Sequence, residues 1–108
     1  TAIACLCTCP DAASARRIAD ALVEARLAAC VNVLPGITSV YRWQGKVEQA
    51  DEVLLVAKTV RARLDALTRQ VQALHPYELP EVVAVEISGG LPAYLDWIAA
   101  ETRTGAND

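Results

Sequence analysis

The segment Ala2-Ile3-Ala4-Cys5-Leu6-Cys7-Thr8 is apolar on both parities, and so is Val53-Leu54-Leu55-Val56-Ala57. Side chains alternate between the two faces of a strand, so a run with no polar parity belongs to a strand covered on both sides. A chain of 108 residues holds one domain, assigned here to residues 1–103, and buries roughly two-thirds of the surface its unfolded form exposes. Whatever fold it adopts must therefore find cover for two doubly apolar strands from very little material.

The remaining pattern supplies part of that cover. Asp11 or Ser14 starts a helix after Pro10, and Ala15, Ile18, Ala19, Leu22 and Val23 repeat at helical spacing, which predicts a helix over about 12–28. Apolar β-branched character returns from Cys30 to Val33. Pro35-Gly36 interrupts it, and Ile37 to Trp43 resumes in alternation, as a bent or bulged strand would. Gln44-Gly45 marks the tip of a long hairpin whose second arm runs from Lys46 to Thr59. Val60, Leu64, Leu67, Val71 and Leu74 form a second helical stripe, which must stop before His75-Pro76 because the residue preceding proline avoids the helical region. Val82 to Ile87 reads as a short strand. Leu91, Tyr94, Leu95 and Ile98 mark a third helix with Pro92 in its first turn.

The order is βαββαβ plus one helix, an α+β ferredoxin-like arrangement in which an antiparallel four-stranded sheet carries both crossover helices on one face. The other face then lies bare, and a partner chain is the simplest cover for it. The outer hairpin, with Tyr41 and Trp43, is too long to stand alone and is expected to pair with a neighbouring subunit. Residues 104–108 are expected to be a disordered tail.

Composition removes several classes of function. A net charge of −3, with ten scattered Lys and Arg, argues against a nucleic-acid partner. Ala4 to Thr8 and Val53 to Ala57 also lack the stacking aromatics of an RNA-binding sheet. No apolar stretch approaches a membrane span, and no signal-peptide pattern opens the sequence, so no membrane role and a cytoplasmic location are expected. Cys5, Cys7 and Cys9 sit two apart on one strand, roughly 6.6 Å between neighbours, at the long edge of what a disulfide tolerates. Reduced thiols in a reducing compartment fit better. The lone His is followed by Pro, and no nucleophile elbow or phosphate loop is present, so the chain is not expected to be an enzyme.

Leu27-Ala28-Ala29-Cys30-Val31-Asn32, Pro35-Gly36, Tyr41-Arg42-Trp43-Gln44-Gly45-Lys46-Val47-Glu48, Lys58-Thr59, His75-Pro76-Tyr77-Glu78-Leu79-Pro80-Glu81 and Tyr94-Leu95-Asp96-Trp97 together resemble the CutA, or divalent-cation tolerance, family in order and spacing along essentially the whole chain. The resemblance implies a homotrimer of PII-like architecture with clefts between subunits, and a link to tolerance of copper and other divalent cations. A PII-like sensor of a small ligand is the alternative function, and an unidentified protein partner would read the trimer. Fold transfers between relatives better than function.

Thiolate and imidazole are good copper ligands, the sulfur favouring Cu(I). The family's Cys-Thr-x-Pro pattern matches Cys7-Thr8-Cys9-Pro10, and its His-Pro-Tyr pattern matches His75, which makes Cys7 and His75 the candidate metal ligands. Some relatives resemble a two-His version of the site. Leu74 stands before His75 here, and Cys9 is an extra thiol that can replace the lost ligand. Cys30 is a weaker metal candidate, and Cys5 reads as a small buried hydrophobe. His75 has a second reading, as a cap on the carbonyls that end the second helix. Tyr77 and Glu78, stiffened by Pro76 and Pro80, would form a ligand cleft with Lys58 or Arg42 as counter-charge for a small polar or anionic molecule. Solvated loop charge is the plain alternative. Tyr41 and Trp43 read as trimer-interface anchors more readily than as stacking groups.

Overall fold

The structure is a computed structural model and describes residues 1–103; the tail expected at 104–108 lies outside the described residues. Strand β1 (Ala2–Cys9) leads to helix α1 (Ala12–Glu24), then to the hairpin β2 (Cys30–Trp43) and β3 (Lys46–Val60). A short 3₁₀ turn (Arg61–Arg63) opens helix α2 (Leu64–Leu74), and β4 (Val83–Glu86) and α3 (Pro92–Glu101) complete the chain. The strands form one antiparallel sheet in the order β2-β3-β1-β4. This is the expected α+β arrangement. No helix of the described residues is long and apolar enough to cross a membrane.

The odd residues of β1 and of the inner half of β3 make the core. Ile3, Cys5, Cys7 and Cys9, with Val53, Leu55 and Ala57, pack under Ala15, Ile18, Ala19 and Leu22 of α1 and Leu67 and Val71 of α2. Asp11 caps α1 by accepting a hydrogen bond from the Ser14 backbone N–H at 2.8 Å, which holds its carboxyl below the usual range. The helix ends four residues earlier than its apolar spacing suggests. Arg26 adopts a left-handed φ of 59°, and the Leu27 and Ala28 amides both donate back to the Leu22 carbonyl. Leu27, Ala28 and Ala29 are buried in that turn, and so look helical in the sequence.

The even residues turn to the second face, and that face is not wholly bare. Tyr94 of α3 reaches Cys30, which lies opposite Lys58 in register, and Ile98 is fully buried, so α3 covers the end of the sheet nearest Ala2. Beyond α3 an apolar band remains. Leu6 lies between Val56 and Val83, and Leu54 lies opposite Leu34. Val83, Val85 and Leu34 stay 48%, 54% and 41% exposed.

Between Leu34 and Ile37 the register slips: Leu34 faces Leu54, and Ile37 faces Glu52. Three residues of β2 thus span two of β3, a one-residue bulge at Pro35-Gly36 that exchanges the faces of all that follows. Because of it Tyr41 and Trp43 share the second face with Glu52 and Thr8. The hairpin closes through Gln44 and Gly45, both at positive φ (49° and 80°), the type I′ geometry that matches strand twist.

Leu67→Ala should lower stability by about 2–5 kcal/mol, because Leu67 is 1% exposed within the core. Gly45→Ala should cost about 1–2 kcal/mol through its left-handed backbone alone. Chemical denaturation at one fixed protein concentration reads both, and a Leu67→Ala loss below about 1 kcal/mol would contradict close packing there.

Candidate metal centre

Cys7 and Cys9 leave the same face of β1 near its end, and α2 stops beside them because Pro76 forces His75 out of helical geometry, at φ −75° and ψ 137°. The Cys7 and Cys9 sulfurs and a ring nitrogen of His75 lie within 4.8 Å of one another, all in buried residues. The Cys7 thiol lies 3.9 Å from the Thr8 carbonyl, to which it can donate. Interaction with the neighbouring Cys9 sulfur, with burial adding to it, raises Cys7 well above the ordinary thiol range, and the same interaction lowers Cys9.

His75 does not cap α2 with its ring. Only its backbone N–H meets the helix, donating to the Val71 carbonyl at 2.8 Å. Ring atom Nδ1 accepts from the Tyr77 backbone N–H at 3.0 Å, so the ring proton sits on Nε2 and is donated to the Thr8 carbonyl at 2.8 Å. The imidazole thereby ties the end of α2 to β1, between the two cysteines. Leu74, in the place of a second histidine, packs on the core instead.

Two thiols and one imidazole suit a soft or borderline metal ion: sulfur supplies polarizable charge, and nitrogen suits copper or zinc. Cys30 is outside this group. It begins β2 on the second face, half-buried, with its sulfur 3.8 Å from the Tyr94 hydroxyl. Cys5 is buried, and that burial raises its thiol's pKa. Among the described residues, Cys7, Cys9 and His75 are the one set of three ligand side chains this close.

On the opposite side of Thr8 lies a separate open cavity of about 830 Å³, walled by Tyr41, Trp43 and Tyr77 and by Glu52, Glu78 and Glu81. Tyr77 and Glu78 are where the sequence places a ligand cleft, but Lys58 and Arg42 are not in it. Lys58 bonds the Asn32 side chain near the α3 end, and Arg42 points to the face opposite Tyr41 and Trp43. The cleft's charge is negative, the reverse of what an anionic ligand needs. Glu52 went unnoticed in the sequence. It accepts a hydrogen bond from the Tyr77 hydroxyl at 2.6 Å, and burial together with that bond keeps the phenol protonated to high pH. Its signal was the second of two adjacent acids, Asp51-Glu52, at the head of an apolar run, of which Glu52 is the buried one.

The family model for the CutA1 divalent ion tolerance protein matches residues 3–101. The divalent-cation tolerance protein CutA of Thermus thermophilus is 53% identical over 90% of this chain and 94% of its own. The mouse protein CutA is 48% identical over 93% of this chain, which spans 56% of the mouse protein's length. A solved Thermus thermophilus divalent cation tolerance protein superposes with a TM-score of 0.94 at 50% identity, covering 95% of this chain and all of that one. By sequence and by fold alike, this chain belongs to the CutA1 divalent ion tolerance family.

Proposed function

We propose that the chain binds a soft metal ion, copper in its monovalent state above all, through Cys7, Cys9 and His75. The observation that carries this is the buried convergence of two thiols and an imidazole within 4.8 Å. A bound ion would supply positive charge to stabilise both sulfurs as thiolates. To admit it, Cys7 must give up its proton, and His75 must free a nitrogen now engaged with Thr8 or Tyr77. The protein acts by binding and not by catalysis. A reducing, cytoplasmic location suits a site that depends on free thiols.

The active form is a homotrimer of PII-like architecture. The support is the apolar band of Leu6, Leu34, Leu54, Val56 and Val83, which its own helices leave uncovered. Cover from neighbouring copies removes that area from water at about 25 cal/mol per Å².

In competition with a Cu(I) chelator, fully reduced protein should bind one ion per chain. Cys9→Ser should weaken the affinity by more than about tenfold, and a Cys7→Ser, His75→Ala double variant should abolish saturable binding. Unchanged affinity in the double variant would make tolerance an indirect effect. Sedimentation equilibrium at micromolar concentration should return three times the chain mass; a monomer there would remove the trimer.

A further inference from the structure

We infer that filling the thiol–imidazole cluster releases the Tyr77 backbone amide from His75, so that the loop after α2 changes its hold according to whether the buried site contains an ion. The inference rests on the metal reading above and concerns what that binding does to the rest of the chain. A neutral imidazole has one acceptor lone pair, and here it is in use: Nδ1 accepts from the Tyr77 N–H at 3.0 Å, while Nε2 carries the proton and donates to the Thr8 carbonyl at 2.8 Å. A metal ion needs the same lone pair. One pair cannot serve both.

The choice of ring nitrogen does not alter this. Coordination through Nδ1 displaces the Tyr77 N–H directly and keeps Nε2–H on the Thr8 carbonyl, the kind of outer partner that fixes a ligating histidine. Coordination through Nε2 breaks the Thr8 bond and moves the ring proton to Nδ1, where it meets the Tyr77 N–H donor against donor. In either case a metal–nitrogen bond forms, the Tyr77 N–H···N bond breaks, and the ring keeps its one proton. The competition lies between two residues of one chain, and neighbouring copies do not enter it.

The loop has little else to hold it. Among the described residues, the segment 76–81 makes no backbone–backbone hydrogen bond. Its hydrogen bonds to the rest of the chain are two, both from Tyr77: the amide on His75 and the hydroxyl on Glu52 at 2.6 Å. Losing one of two such ties lowers the free energy at which a segment opens locally.

The test uses the assembled, fully reduced protein, labelled with ¹⁵N, and Cu(I) supplied by a chelator that fixes its free concentration. His75 is the only histidine of the chain, so its ring nitrogens give one unambiguous pair of signals. Without metal, a through-bond ¹⁵N–¹⁵N coupling should join the Tyr77 amide to Nδ1. With one ion bound per chain, a ring nitrogen should shift, that coupling should vanish, and exchange of the Tyr77 amide should quicken about tenfold, the equivalent of one hydrogen bond. The Ala29 amide, bonded to the Lys58 carbonyl at 2.8 Å, should exchange as before. Chelator competition on the same samples reports occupancy independently. A bound ion with the coupling intact would overturn this inference and leave the metal reading standing, whereas no bound ion in the reduced protein would overturn both. A coupling absent from the metal-free protein would remove the premise and the inference with it.

Discussion

Strand β1 is hydrogen-bonded along both edges, to β3 and to β4, so the one choice left to its residues is which face they occupy. That constraint organises everything else. Ile3, Cys5, Cys7 and Cys9 enter the helix-covered core, and Ala4, Leu6 and Thr8 turn to the other side. The pair of thiols is therefore fixed by the same alternation that builds the core, and it is buried because the core is. The thiol–imidazole cluster and the open cavity lie back to back across Thr8.

The segment from His75 to Tyr77 joins them. Its histidine bonds the Thr8 carbonyl, its tyrosine amide bonds the histidine, and the tyrosine hydroxyl bonds Glu52 on the second face. Three hydrogen bonds over three residues carry the chain around the end of β1, and Pro76 limits the conformations it must give up to do so. Sulfur chemistry thus lies on one side of the sheet and an acidic, aromatic cavity on the other.

Much of this was legible in the residues. The doubly apolar runs identified the central strands, the step of four and three from Val60 to Leu74 marked the second helix, and Pro76 placed its end. Gln44-Gly45 located the turn, and Cys7-Thr8-Cys9 with His75 contained the whole thiol–imidazole group. The early end of α1 was not legible, because Leu27, Ala28 and Ala29 are as apolar in a buried turn as they would be in a helix. Nor was the separation of Cys30 from the other thiols, since sequence shows that a cysteine is apolar but not which face of the sheet it joins.

The sequence by itself determined what depends on neighbours along the chain: the period of each element, its caps and breaks, the family, and the list of soft ligands. Only the tertiary structure decided what depends on faces and register. One extra residue at Pro35-Gly36 exchanged the sides of β2, set Tyr41 and Trp43 over Glu52 and turned Arg42 to the opposite face, while Lys58 sits toward the other end of β3 opposite Cys30, which reversed the charge expected of the cleft. The physical reason is the period of two in a strand: a single inserted residue moves every later side chain to the opposite face, and local pattern records the alternation but not which face each phase will occupy.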